Sequence, residues 1–201
     1  MTQPTRYFVL AKNRDMEDSA ILSDPPKQID DEMFMFDKGT SLAKWFPSDA
    51  QFPMDPDFPK ARRLCDFQHN TLGLLVVSRE ARATLEESGC DNVEYLPISI
   101  FNHRGKLASA DYAIANVLEL VDGMDRERST YENNPLIPSK IISCSKLVLR
   151  EDAIPRQLRI FRLTNAPGIH IITESLKQEM EKRGLTGMLF VPIEEYDTDI
   201  F

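Results

Sequence analysis

The sequence predicts an α+β fold of mixed or antiparallel sheets, and three observations carry that prediction. Short β-rich runs outnumber the amphipathic helical stretches, of which two stand out by apolar spacing. Each of those two lies inside a strand-helix-strand unit, over about 72–98 and about 169–193. Before residue 65 the chain follows neither period and is rich in proline and phenylalanine. At 201 residues the chain is long enough for one large or two small domains. The expected organisation is an N-terminal strand and irregular segment over 1–65 packed on the core of an α+β domain over 66–201, or a single domain over 1–201.

Tyr7 to Ala11 reads as the first strand. Polar residues then run to Asp24, and Pro25-Pro26 stops any regular element. Met33 to Phe36 is apolar but short. In the segment from Trp45 to Pro59, Phe-Pro recurs at Phe46, Phe52 and Phe58. Proline removes a backbone donor and makes its predecessor extended, which argues against a helix or a central strand. Two readings follow, an exposed aromatic recognition loop or a long loop whose phenylalanines pack on the core, and the cost of leaving three such rings in water favours the second.

Leu74 to Val77 has the composition of a buried strand; Ser78 suits an N-cap, with Glu80 in the first turn, and the helix after it ends at Gly89. Val93 to Phe101 and a run from Lys106 towards Leu120 are expected to pair as a hairpin around Asn102-His103-Arg104-Gly105. Residues 122–140, which carry Pro135 and Pro138, are expected to form a loop or short helix before a strand over Ile141–Leu149. The alternation in Arg159-Ile160-Phe161-Arg162-Leu163 suggests a strand with one wet face.

The two units match when slid by 95 residues. Val76-Val77-Ser78 aligns with Ile171-Ile172-Thr173, Gly89 with Gly184, and Leu96-Pro97-Ile98 with Val191-Pro192-Ile193. Each encodes apolar strand, hydroxyl cap, amphipathic helix, glycine stop and apolar strand, because a side-chain oxygen satisfies the orphan amides of the first turn and glycine adopts the left-handed exit. Two copies suggest a pseudo-symmetric arrangement and are too few for a solenoid.

The net charge is −8 and the pI is about 5.0, which disfavours a nucleic-acid binder that tracks phosphates with a basic face. No apolar run approaches the roughly 18 residues needed to span a bilayer, and the apolar stretch after Arg6 is short for a signal-peptide core. Cys65, Cys90 and Cys144 are odd in number and widely spaced, which fits reduced thiols and a cytoplasmic location better than a disulfide framework. The three histidines, His69, His103 and His170, show no zinc spacing, and the phosphate-cradling and nucleophile-elbow motifs are absent from the sequence. The sequence therefore predicts no catalytic residues, no cofactor and no metal.

Two charged groups remain. Asp122 to Ser129 alternates in sign, which fits local turn pairing or an acid/base set with an anion clamp. Glu194, Glu195, Asp197 and Asp199 form an acidic tail closed by Ile200-Phe201, which either solubilises or meets a basic partner.

Leu96-Pro97-Ile98 with its hairpin, Asp125-Arg126-Glu127-Arg128-Ser129, Ile160-Phe161-Arg162-Leu163, and above all Ile172-Thr173-Glu174-Ser175-Leu176-Lys177 with Gly184-Leu185-Thr186-Gly187-Met188-Leu189-Phe190-Val191-Pro192 carry a likeness. Together they resemble the myxobacterial-type immunity-domain family, small bacterial proteins encoded beside polymorphic toxins and formerly grouped as a domain of unknown function. The likeness covers about residues 90–195, and the proline-rich region before residue 65 has no counterpart in it. It implies an immunity protein that neutralises a cognate toxin or effector domain by stoichiometric binding, and it supplies no catalytic residue. A toxin with a basic surface would place the contacts on Asp125, Arg126, Glu194, Glu195, Asp197 and Asp199. No nucleic-acid or membrane partner is expected, and the oligomeric state is left open. The alternatives are a small hydrolase or transferase using Asp122 to Ser129, and a scaffold domain that docks through its Phe-Pro loop.

Overall fold

The computed structural model describes residues 5–13, 17–26 and 29–198. Its strands are β1 (Tyr7–Lys12), β2 (Ile21–Leu22), β3 (Gln51–Pro53), β4 (Phe67–Asn70), β5 (Val76–Ser78), β6 (Val93–Phe101), β7 (Leu107–Val117), β8 (Leu120–Val121), β9 (Thr130–Asn133), β10 (Ile141–Lys146), β11 (Ile160–Leu163), β12 (Ala166–Thr173) and β13 (Met188–Pro192). Helices α1 (Arg79–Glu87) and α2 (Glu174–Lys182) follow β5 and β12, and a 3-10 helix of the same nine-residue length spans Asp30–Lys38. The fold is α+β, as the sequence predicts. One sheet has the order β13-β1-β12-β11-β8, a second β2-β4-β5-β7-β6-β3, and β9-β10 is a separate two-stranded ribbon. No helix among the described residues is long and apolar enough to cross a membrane.

The duplication is exact in register. In the first copy Val77 and Pro97 both lie opposite Ala113, so β5 and β6 run parallel to each other on either side of antiparallel β7. In the second copy Ile172 and Pro192 both lie opposite Phe8, with β1 between β12 and β13. Both helices start as predicted, for the Ser78 Oγ accepts from the Ala81 amide and the Thr173 Oγ1 from the Leu176 amide. Gly89 and Gly184 leave the helices at φ of 72° and 66°. The two copies differ in where the middle strand originates. It follows its unit in the first copy and comes from the N-terminal end of the described chain in the second.

Two-residue alternation then sorts the strands' side chains into layers. Phe8 and Leu10 of β1, Val77 of β5, Ala115 and Val117 of β7 and Ile172 of β12 share one core with Ala81 and Leu85 of α1 and Leu176 and Met180 of α2. Val9, Phe161, Leu163 and Ile171 face the other way, under a cover that includes Met124, Cys144, Leu147, Ile154 and Tyr196. Leu22, Phe52, Val76, Leu96, Ile98, Ile100 and Ile114 lie on the outer face of the six-stranded sheet, covered by Ile29, Phe36, Leu42 and Phe46. The two larger sheets are thus covered on both faces at their centres, and β1, β11 and β12 carry runs of consecutive buried residues for that reason.

Several expectations need correction. The Phe-Pro segment is not wholly irregular, since β3 pairs parallel with β6 at the sheet edge. Phe46 and Phe52 are buried, whereas Phe58 is half exposed. The loop expected over 122–140 contains β9, the strand expected to reach Leu149 ends at Lys146, and the run towards Leu120 breaks after Val117. The strand around Arg159–Leu163 has no wet face, because Ile160, Phe161, Arg162 and Leu163 are all buried.

Arg162 is 4% exposed. Its Nε and Nη2 donate to the Val117 carbonyl at 3.0 and 2.6 Å, and its Nη1 to those of Phe36 at 2.8 Å and Pro167 at 3.4 Å. One side chain therefore joins the five-stranded sheet to β7 and to the 3-10 helix. The adjacent links are also polar: Asn92 Nδ2 donates to the Ile160 carbonyl at 2.9 Å, and Arg159 Nη1 to that of Ser88 at 2.6 Å. Asp66 accepts from the Thr186 amide and hydroxyl and from the Ser78 hydroxyl. At this junction a Cβ on Gly187 would lie 2.1 Å from the Phe67 carbonyl oxygen, so no larger residue fits.

Truncating Arg162 orphans buried carbonyls as well as opening space. Arg162→Ala is expected to cost about 3 kcal/mol in urea unfolding, several times the cost of a typical surface change. His170 is held neutral, its pKa lowered to about 3 by burial and then by the Arg162 charge. Its unfolded form takes up a proton below about 6.5, so this contribution to stability is complete above that pH and is lost as pH falls towards 3. His170→Gln is expected to flatten the pH dependence of unfolding between pH 6.5 and 5, where His170 contributes up to about 1.4 kcal/mol per pH unit.

Candidate partner-binding surface

The outer cover of the five-stranded sheet holds the described ones among the sequence-predicted contacts, on two segments, the turn after β8 and the stretch after β13. It comprises the turn after β8, the β9-β10 ribbon, the connection to β11 and the segment after β13. The ribbon is fastened at its turn end: the Ile141 amide donates to the Asn165 carbonyl at 2.8 Å, and Lys140 Nζ to that of Thr164 at 3.1 Å. Beyond β13, the Thr198 amide donates to the Cys144 carbonyl and its hydroxyl accepts from the Cys144 amide. Tyr196 is buried there, its phenol pushed up to about 12 by burial and then by Cys144 and Asp197. The acidic tail is therefore folded onto β10 at least as far as Thr198.

Asp125 is half-buried and shapes its own turn. Its Oδ1 accepts from the amides of Glu127 and Arg128 at 3.1 Å each, and its Oδ2 lies 3.8 Å from Arg128 Nη1. Asp122 Oδ2 lies 3.1 Å from Arg150 Nη2, and the Ser129 hydroxyl accepts from the Val148 amide at 3.0 Å. The Asp125 contacts are the local pairs that alternating charge favours, whereas Asp122 and Ser129 are engaged by Arg150 and Val148, 28 and 19 positions away. Arg126 is exposed. Glu194 and Glu195 are exposed on a short 3-10 turn, Asp197 is half-buried, and Asp199 lies outside the described residues, as do Ile200 and Phe201.

Arg128 of the turn and Glu194 of the tail line one cleft of about 410 Å³ with Arg6, Tyr7, Leu147 and Glu151. Arg6 lies 3.7 Å from Glu194 and 3.5 Å from Glu174. Burial, and then the Glu151 carboxylate, raises the pKa of Tyr7. The cleft thus mixes both charges and holds its phenol protonated.

What sequence reasoning missed is the ribbon's tip. Asn134 Oδ1 accepts from the amides of Leu136 at 2.8 Å and Ile137 at 3.0 Å, while the Lys140 amide closes the turn on the Ile137 carbonyl. Leu136 is 90% exposed, Ile137 52% and Ile142, on β10, 55%. The signal was the bracketing of two aliphatics by Pro135 and Pro138 in a polar stretch.

The nucleophile and base candidates are committed elsewhere. Cys65, Cys90 and Cys144 are all buried. Burial pushes the Cys90 thiol up to about 12 and raises that of Cys144, which suppresses the thiolate. Cys65 Sγ lies 3.3 Å from the Ser19 hydroxyl. A cleft of about 260 Å³ beside Arg162 and His170 is lined mainly by apolar side chains and backbone, with a neutral imidazole. Among the described residues, no three His, Cys, Asp or Glu side chains gather as metal ligands.

Asp125→Ala is expected to lower stability by about 1 kcal/mol through loss of its turn bonds, whereas Glu195→Ala stays within about 0.5 kcal/mol as an exposed change; paired thermal melts check both. No curated protein matches the chain. The immunity protein family Imm11 does, and its match takes in the proline-rich segment that the narrower resemblance over about 90–195 left out. That family model matches residues 3–195 of the 201, and the chain belongs to the family.

Proposed function

We propose that this protein neutralises a cognate bacterial toxin in the cytoplasm by direct, stoichiometric binding, without turnover. Family membership over 3–195 carries the reading. The charge supports it: an acidic protein accelerates and selects encounter with a basic partner, and a toxin that handles phosphates presents such a surface. The turn chemistry supports it too, since the carboxylate best placed for acid/base work, Asp125, already accepts two amides of its own turn.

Co-expression with the toxic domain encoded beside it tests the proposal. A complex of fixed ratio by size-exclusion mass, together with restored growth, is the expected outcome. Restored growth at substoichiometric amounts with no isolable complex would replace occupancy by catalysis, and no restoration would remove the immunity reading.

A further inference from the structure

We infer that the β9-β10 hairpin is the element that engages the toxin, its Leu136-Ile137 tip seating in an apolar pocket bordered by lysine and arginine side chains. The inference rests on the proposed neutralisation by binding and names the surface that performs it.

The first argument is preorganisation. Large aliphatic side chains in a flexible loop can fold back on their own protein, but here the loop is fixed in the projecting shape. Pro135 and Pro138 restrict two φ angles, Asn134 holds the amides of the two exposed residues, and the Lys140 amide closes the turn. The same ribbon buries Cys144 completely, packs Tyr131 and Ile141 partly against the core and is tied to Asn165 and Thr164 beside its turn, so its strands belong to the fold while the Leu136 and Ile137 side chains stay in solvent. A rigid apolar projection loses little conformational entropy on binding, which makes it an efficient anchor. Ile142 extends the apolar surface along β10.

A second argument comes from backbone. Among the described residues β9 pairs only with β10, which leaves the outer edge of β9 open, whereas the outer side of β10 is bonded to Asn165 and Thr198. An open edge accepts a further strand, so backbone pairing along β9 is available to a partner held by the tip.

Charge complementarity selects the occupant. Around the root, Arg128 and Arg150 are paired with Asp125 and Asp122. Glu127, Glu132, Glu151 and Glu195 have no ion-pair partner among the described residues, against the exposed Arg126 and Lys146 and against Lys140 of the turn, whose Nζ is held by the Thr164 carbonyl. An apolar anchor within an acidic surround fits a basic protein surface better than a second copy of this acidic chain, whose own hairpin carries the same excess.

The test uses the full chain and a catalytically inactivated form of the neighbouring toxic domain. Leu136→Asp with Ile137→Asp is expected to weaken the complex about 100-fold and to abolish growth protection, with the melting temperature unchanged because both side chains are exposed. Glu127→Lys with Glu132→Lys is expected to weaken it about 10-fold, mainly through slower association, and to reduce its salt dependence. Wild-type affinity in the tip variant overturns this surface while leaving neutralisation by binding intact. Failure of the unmodified chain to bind overturns both. A wild-type dimer that the tip variant breaks, with toxin affinity unchanged, assigns the tip to a second copy and overturns the proposal. Equal affinity in the charge variant overturns the basic rim.

Discussion

A single guanidinium lies where the two halves of this protein meet. Taking a charge out of water is expensive, and Arg162 offsets that cost with carbonyl dipoles from β7, from the 3-10 helix and from β12. Asp37 adds electrostatic attraction without closing an ion pair. Arginine suits this position because its planar fork reaches carbonyls in different directions while remaining charged. A hydrophobic side chain would fill the space but would leave three backbone acceptors unsatisfied. The arrangement also fixes its neighbour, since His170, buried and next to a permanent cation, stays neutral.

Around that junction the chain builds the same small machine twice. Parallel strands joined by a helix cannot pair directly here, and each copy inserts an antiparallel strand between them. The register is shared to the residue, with prolines equivalent to one another 95 positions apart. Both prolines sit where a missing amide costs least: Pro192 is on an edge strand, and Pro97 precedes the stretch of β6 that pairs with β3. The helices then face each other across a common core, and Arg183 joins Glu80 and Glu87 at its rim.

Much of this was legible in the sequence because its causes are local. Ser78 and Thr173 cap helices, Gly89 and Gly184 end them, and the apolar runs at 76–77 and 171–172 announce strands. The exceptions are non-local. Alternation in Ile160-Phe161-Arg162-Leu163 suggests a wet face because arginine is usually solvated, and nothing nearby in sequence shows that carbonyls from residues 36 and 117 await it. The strand β9 was hidden because Thr130–Asn133 is short and polar and is held only by β10. For the candidate surface, charge at Asp125 and in the tail was readable, and the two regions do converge through Arg128 and Glu194. The readable charge nevertheless overstated Asp125, whose oxygens serve its own turn, and missed Leu136 and Ile137, whose importance lies in an exposure that no residue type encodes.

The asymmetry of the covers is what gives the architecture room for a specific partner. The inner faces of both sheets are spent on the shared core, and Pro192 on edge strand β13 resists strand addition there. On the six-stranded sheet the outer cover is a dense packing of Ile29, Phe36, Leu42 and Phe46. On the five-stranded sheet the cover includes a ribbon whose strands pack on the core while Leu136 and Ile137 of its turn stay exposed. A duplicated core can keep its register only while its inner residues stay matched, whereas a ribbon anchored by Cys144, Asn165 and Thr198 can vary at its tip without disturbing any of those bonds. Stability and recognition are thereby carried by different residues: the duplicated units fix the scaffold, and the unmatched insertion between β8 and β11 is where the chain is free to fit one partner rather than another.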